Sequence, residues 1–249
     1  IEAALRPSKM PAGRWPSDHA LVLSQQLAVN EAWAKLQNGS GIFAVNGPPG
    51  TGKTTLLRDV AAAVITQRAS ILVRARTGFF GPKAAHRLGD IWVPYYPLHE
   101  SLEGHSIVIC SSNNGAVENV TLELPGEAAV PQRVLAQSDY FRSVATSVTG
   151  KNAWGLVAAP LGKRANRSEF LSSFWWNKTG QRDKGGELVT PGLREALAGL
   201  QSKLTSPVVG WDAAVKKFKR AQENEKAFRT LLEKKAQRPE HIAALKARA

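Results

Sequence analysis

One eight-residue stretch constrains this chain more than any other feature. Residues 47–54, GPPGTGKT, fit the pattern G-x-x-x-x-G-K-[ST] in full, between an apolar run and a helical pattern. Glycines let backbone N–H groups turn inward around phosphates, and the N-terminus of the following helix adds the positive end of its dipole. Lys53 can reach the β- and γ-phosphates, and the Thr54 hydroxyl can bind Mg²⁺. We therefore predict a nucleotide site made of Gly47, Pro48, Pro49, Gly50, Thr51, Gly52, Lys53, Thr54 and Thr55.

Composition narrows the partners and excludes several classes of protein. The 249 residues carry 33 Lys+Arg against 20 Asp+Glu, a net charge of +13 that favours a polyanionic partner, nucleic acid before a membrane surface. A single cysteine, Cys110, excludes an intramolecular disulfide framework and a four-cysteine zinc site. No apolar run is long enough to span a membrane, and the first residues lack the core of a signal peptide. We expect a cytoplasmic protein with no membrane partner.

The pattern of apolar residues predicts an α/β chain in three parts. These are a lead-in with one helix (1–40), the first part of a phosphate-binding α/β domain (41–205) with an irregular insertion at about 76–105, and a basic helical extension (206–249). Strands are predicted at 42–46, 71–75, 106–110, 132–137 and 154–162. Helices are predicted at 24–37, 54–68, 115–124, 139–148, 166–176 and 211–237. The fold class that follows is a parallel sheet flanked by helices.

Ser24 is expected to cap the first predicted helix. Three of the predicted helices have a definite buried face. The predicted faces are Val29, Trp33 and Leu36 in the first helix; Leu57, Val60, Ala61 and Val64 in the second; and Val215, Phe218, Phe228 and Leu232 in the last.

Two segments beside the phosphate loop suggest which nucleotide and which polymer are bound. Upstream, Gln25 begins a helix, and a glutamine there can pair with the edge of adenine; the alternative is a solvated helix-start residue. Downstream, Ser111, Ser112, Asn113 and Asn114 follow an apolar run. Small polar side chains and free N–H groups at a helix start suit a phosphodiester backbone; the alternative is an ordinary capped turn.

Taken in order, these three segments resemble the Q motif, motif I and motif Ia of superfamily 1B helicases, the group of the nonsense-mediated-decay helicase. SSNNGAVENVTLELP and WGLVAAPLGKRANRSEFLSSFWW further resemble bacterial AAA-domain members, so that the resemblance covers residues 17–180. It implies a RecA-like first domain and ATP-driven movement on single-stranded nucleic acid, with DNA favoured over RNA. Gln25 would then recognise adenine, residues 47–54 would bind ATP and Mg²⁺, and residues 111–114 would contact the strand, with Pro160-Leu161-Gly162 as the next motif.

Two parts that the resemblance requires are missing. No Asp-Glu dipeptide occurs, and Asp90, Asp139 and Asp183 each lack a preceding apolar run that could form a magnesium-binding strand end. The second RecA-like domain, which supplies arginines to the γ-phosphate, has no counterpart. We therefore expect an N-terminal piece of a helicase that binds nucleotide and hydrolyses it poorly on its own.

Two other functions fit the same phosphate loop. A P-loop ATPase of another kind, such as an AAA+ remodeller, would form rings. A nucleic-acid-binding module with an inactive nucleotide site would bind single strands in a salt-sensitive way that is indifferent to ATP.

Overall fold

The computed structural model of the protein describes residues 1–48, 52–75, 78–176, 186, 191–203 and 207–239. The chain divides into two compact units, which are described separately. The first unit consists of Ile1–Trp15, Leu21–Ile107 and Ala213–Ala249, and the second of Pro16–Ala20 and Val108–Asp212.

Helices dominate both units. The α-helices are α1 (Leu23–Leu36), α2 (Lys53–Ala75), α3 (Asn114–Glu123), α4 (Gln132–Leu135), α5 (Arg142–Thr149), α6 (Arg164–Leu171), α7 (Leu193–Lys203) and α8 (Pro207–Ala236). Two strands, β1 (Ala84–Leu88) and β2 (Ile91–Tyr95), form a hairpin. Short 3₁₀ turns lie at Glu2–Leu5, Pro7–Lys9, Glu100–Leu102 and Glu127–Ala129, and a π turn, Ser172–Trp176, follows α6.

In the first unit, α1 packs against α2 and against the N-terminal 3₁₀ turn. Val29 and Asn30 are its buried residues, and the Asn30 amide donates to the Ala4 carbonyl at 2.7 Å. Trp33 is half-buried and Leu36 is exposed, so the predicted burial is confirmed for Val29, is partial for Trp33 and is wrong for Leu36. Ser24 is not the cap: α1 begins at Leu23, and the Gln25 side chain accepts from the Val22 N–H at 3.2 Å.

Helix α2 runs seven residues further than predicted, through the apolar run at 71–75. That strand prediction is wrong, because no glycine or proline interrupts the chain there and Val73 continues the buried side of the helix. The buried face of α2 is centred on Leu56, Asp59 and Ala63. The predicted face is displaced from it by one residue, and Leu57, which was predicted to be buried, lies at its exposed edge.

The irregular insertion predicted at about 76–105 contains the β1–β2 hairpin. Its strands pair antiparallel in a register that sets Ala84 opposite Tyr95 and Leu88 opposite Ile91, around a Gly89-Asp90 turn with Gly89 at φ +63°. A two-residue turn containing glycine between short apolar runs is the signal that predicts such a hairpin.

In the second unit, a small core surrounds the fully buried Val144 and Ala145 of α5. The Trp154 indole donates to the Leu124 carbonyl at 2.8 Å and links the C-terminal end of α3 to the loop after α5. Helices α3, α5 and α6 confirm the predictions for those segments, with small differences at their ends. The strand predicted at 132–137 is wrong, because the short helix α4 lies there, with Pro131 as its N-cap residue.

The parallel sheet is not found among the described residues, whose one sheet is the β1–β2 pair. The runs at 42–46 and 106–110 are irregular, and Ile42 and Val108 are highly exposed. At 154–162 the chain makes one isolated parallel bridge, between Tyr140 and Gly155. A buried parallel strand needs a ladder of partners and cover on both faces; the described residues give no such ladder to any of these runs, and those at 42–46 and 106–110 are largely uncovered.

The long C-terminal helix is present as α8. Its inward side is set by Val215, Phe218 and Leu232, as predicted, but Phe228 is 61% exposed. Phe228 precedes Arg229 by one residue and so points about 100° away from the row that includes Arg229. Within the described residues, no helix is both long and apolar enough to cross a membrane.

Candidate nucleotide and nucleic-acid sites

The phosphate loop lies in the first unit and leads directly into α2. Gly52 has φ +75° and its carbonyl accepts from the Leu56 N–H at 3.2 Å, so the first turn of α2 begins at the last glycine of the loop. A glycine is required at that positive φ. Gly47 is half-buried, whereas Pro48 and Thr55 are exposed. Pro49, Gly50, Thr51 and the side chains of Lys53 and Thr54 lie outside the described residues.

The structure brings Gln25 to this loop from the start of α1. A Cβ at Gly52 would overlap the Nε2 atom of Gln25 and would lie 3.5 Å from the Thr55 hydroxyl. The Gln25 amide therefore lies against the loop where α2 begins, with its Oε1 held by the Val22 N–H. Two segments that are 27 residues apart in the sequence thus meet at the predicted nucleotide site.

Six residues after Lys53, the α2 side chain of Asp59 is buried, a feature that the sequence analysis missed. Its Oδ1 accepts from the Trp15 N–H at 3.2 Å and lies 4.0 Å from the Arg14 Nε. Burial raises the pKa of Asp59 above its ordinary value, and the Trp15 hydrogen bond and the Arg14 charge oppose that rise. An aspartate within an apolar helical pattern reads as exposed, so no sequence signal indicates this residue.

The predicted strand-binding residues lie in the second unit, at the start of α3. Asn113 caps this helix, because its Oδ1 accepts from the Gly115 N–H at 2.9 Å, and its own N–H donates to the Ser111 hydroxyl at 3.1 Å. Ser111, Ser112 and Asn113 are exposed, and the side chain of Asn114 lies outside the described residues. The capped turn and the proposed strand contact are compatible, since the exposed polar groups surround a helix N-terminus.

A cavity of about 160 Å³ joins this turn to the loop at Pro160-Leu161-Gly162. Its lining includes Ser111 and Val117 from the turn and α3, and Pro160 and Gly162 from the loop. The loop is held by Arg167, whose guanidinium donates to the carbonyls of Leu161 at 3.1 Å and Gly162 at 3.2 Å. The structure therefore brings together two segments that the sequence analysis assigned separately to the strand.

A charged group that the sequence analysis did not assign lies at the same cavity. Glu118 of α3 accepts hydrogen bonds at its Oε1 from the Lys163 ammonium at 2.8 Å and from the Asn166 amide at 3.0 Å. The hydrogen bond from Lys163 is the main cause that holds the pKa of Glu118 below its ordinary value, and the hydrogen bond from Asn166 contributes in the same direction. Glu118 is therefore an ionised carboxylate at neutral pH.

Of the three aspartates considered for magnesium, the two that the structure describes do not follow a buried parallel strand. Asp90 lies in the hairpin turn, Asp139 accepts from the Arg142 N–H at 3.4 Å at the start of α5, and Asp183 lies outside the described residues. The described residues also contain no group of three His, Cys, Asp or Glu side chains arranged to hold a metal ion.

Comparison with known proteins identifies the family. A family model described as an AAA domain matches residues 21–246, nearly the whole chain, and this domain occurs in superfamily 1 helicases similar to the nonsense-mediated-decay helicase. No curated protein and no solved structure matches the chain. The match starts just before Gln25 and includes the phosphate loop, the α3 turn and α8. The chain therefore belongs to the AAA domain family of superfamily 1 helicases and carries a P-loop NTPase domain.

Proposed function

We propose that this chain is the ATP-binding part of a helicase that moves along single-stranded nucleic acid, DNA in preference to RNA. The observation that carries the proposal is the position of the Gln25 amide against Gly52, at the start of α2. A glutamine beside a phosphate loop has the donor and the acceptor needed to pair with the N6 and N7 edge of adenine. The parallel RecA-like sheet belongs to this proposal and is an expectation for the intact protein.

The loop residues have the chemistry that ATP and Mg²⁺ require. Gly52 has a positive φ at the start of α2, where the N–H groups of a first helical turn suit an anion, and a Cβ there would fill the space that Gln25 occupies. Lys53 is proposed to bind the β- and γ-phosphates, and Thr54 to bind Mg²⁺. Bound ATP would supply the free energy that closes the two domains of the intact protein over the strand and then releases the strand.

The α3 turn and the loop at 160–162 are proposed to hold the strand. Exposed hydroxyl and amide groups at Ser111, Ser112 and Asn113 suit phosphate oxygens, which position a strand without reading its sequence. Binding of this kind weakens steeply with salt.

Hydrolysis by the chain alone is expected to be slow. The chain has no Asp-Glu dipeptide, and the described residues contain no group of three His, Cys, Asp or Glu side chains that could hold a metal ion. Arginines from a second RecA-like domain are proposed as the partner that completes the site.

The test is the binding of a labelled single-stranded oligonucleotide, followed by fluorescence anisotropy with and without a non-hydrolysable ATP analogue. We expect salt-sensitive binding that the analogue changes in the wild type but not in Lys53→Ala. Turnover of ATP in the same samples is expected to be low.

Two results would contradict the proposal, and each points to a different function. Strand binding that is indifferent to nucleotide in the wild type indicates a binding module with an inactive nucleotide site. Nucleotide binding that drives ring assembly, without strand binding, indicates a remodelling ATPase.

A further inference from the structure

The cavity beside the α3 turn contains a cation that is already paired within the protein. Lys163 donates to Glu118 at 2.8 Å, and the side chains of the two residues are 48% and 32% exposed. Asn166 donates to the same oxygen, so both donors converge on Oε1. Ser111 of the proposed strand-binding turn lines the same cavity.

Such a pair is easily exchanged. Ion pairs on the surface contribute little free energy, because water and salt screen them. A phosphodiester oxygen offers the Lys163 ammonium the same charge and the same hydrogen bond that the Glu118 carboxylate offers. A strand lying across Ser111 therefore competes directly with Glu118 for Lys163.

The surroundings of Lys163 favour an anion over a neutral ligand. Lys163, Arg164 and Arg167 fall within five residues that contain no acidic residue, and all three are exposed. Arg167 is engaged with the loop carbonyls, which keeps the backbone beside Lys163 in place. Glu118 is the carboxylate that lines the cavity, so it is the group that competes with a phosphate for Lys163 there.

We infer that Lys163 binds a phosphate of the single strand and that its ammonium pairs with Glu118 when the strand is absent. Glu118 therefore lowers the affinity of the chain for the strand. This inference rests on the proposed function, since it assigns a residue and its competitor to the same strand site. It differs from a purely structural link between α3 and α6, which would have no effect on the salt dependence of binding.

The experiment measures the affinity of the full chain for a labelled single-stranded oligothymidine by anisotropy over a series of salt concentrations. The variants are Glu118→Gln, Lys163→Gln and the double variant. The matched control is Glu127→Gln, since Glu127 is paired with Arg142 at 2.8 Å in the same unit, with similar exposure of 36%, and lies outside the cavity lining.

We expect Glu118→Gln to bind about two- to fivefold more tightly, the range that corresponds to the loss of a surface ion pair. Lys163→Gln should bind more weakly and reduce the log–log salt slope by about 0.7, the value for one phosphate contact with a single strand. In the double variant, the effect of Glu118→Gln should vanish, because the cation it released is absent. Lys163→Arg keeps the charge and should keep the slope.

Three outcomes overturn the inference while leaving the proposed function in place: Glu118→Gln binds no more tightly than the wild type, its effect survives removal of Lys163, or Glu127→Gln tightens binding equally. A wild-type chain that does not bind the strand overturns both. Thermal unfolding of each variant shows whether it is folded. If Glu118→Gln does not fold, the salt slope of Lys163→Arg compared with that of Lys163→Gln still tests the phosphate contact.

Discussion

Gln25 lies where the Q-motif segment and the phosphate loop meet, so its substitution tests the nucleotide site without changing any charge. Its amide nitrogen is against Gly52, and its oxygen is held by the backbone of Val22. The side chain is therefore oriented in advance, and orientation of this kind gives a hydrogen bond its selectivity.

For Gln25→Ala, we predict that ATP affinity falls about three- to tenfold, as expected for one or two lost hydrogen bonds, while GTP affinity hardly changes. Titration with fluorescent ATP and GTP analogues measures both. Gln26→Ala is the control, because the next side chain donates to Asn30 at 2.8 Å, away from the loop. Equal losses of ATP and GTP affinity in Gln25→Ala would contradict adenine recognition.

Asp59 leads to a prediction about pH. Burial raises its pKa above the ordinary value of 3.8, so the folded chain retains this proton to higher pH than the unfolded chain does. Stability must then fall as the pH rises from 3.8 through the raised pKa, because the folded state binds more protons in that window.

For Asp59→Asn, we predict a melting temperature at pH 7 equal to or above that of the wild type, and a difference that disappears near pH 4. The asparagine oxygen can still accept from the Trp15 N–H. Melting curves over this pH range, with the exposed Asp90→Asn as control, measure the difference. A variant that is less stable than the wild type at pH 7 would show that ionised Asp59 contributes net stability through Arg14.

At the scale of elements, helices were easier to predict from the sequence than strands. A long amphipathic pattern such as that of α8 has a period that identifies it, and it was predicted to within a few residues at its start and one at its end. Short apolar runs have no such period: residues 71–75 could be strand or helix, and tertiary context made them the end of α2. The hairpin had a usable signal in Gly89-Asp90, which the prediction of an irregular insertion overlooked.

The candidate site shows the same division. The order of the motifs was enough to nominate residues 25, 47–55 and 111–114 as candidates, because phosphate binding requires glycines and small polar residues at fixed spacing, and their roles stay predictions. The buried Asp59 and the link between Glu118 and Lys163 depend on contacts between segments 44 or more residues apart, which spacing alone does not reveal.

Within the first unit, Arg229 connects α8 to the N-terminal segment. Its guanidinium donates to the carbonyls of Pro7, Met10 and Pro11, and its Nε donates to Glu225 at 2.7 Å. Gly13 of the same segment packs against α2 so closely that a Cβ would overlap the Ala62 carbonyl. The segment thus ties the phosphate-loop helix to α8.

We predict that Arg229→Ala lowers the free energy of unfolding by about 1–3 kcal/mol, because several carbonyls and a carboxylate lose one charged donor. Denaturant unfolding measures the loss, and hydrogen exchange should speed up in residues 1–15. Arg220→Ala, an exposed cation on the same helix, is the control. Equal stability of the two variants would mean that the N-terminal segment is held by its apolar contacts.

At the scale of the whole molecule, the two candidate sites fall in different units. The phosphate loop and Gln25 belong to the first unit, and the α3 turn belongs to the second. The net charge of +13 supplies the general attraction to a polyanion, while the family match supplies the reason to expect a nucleotide and a strand in one molecule. The proposed ATP-dependent action on a strand requires a functional nucleotide site.

The most direct test of that site is equilibrium binding of ATP with Mg²⁺ to the wild-type chain and to Lys53→Ala. We predict measurable binding by the wild type and a loss of at least about tenfold in the variant, since a charge-assisted contact to phosphate contributes about 1.5–3 kcal/mol. Identical affinities for the two proteins, or no binding by a folded wild type, would contradict the assignment of residues 47–54 as an ATP site.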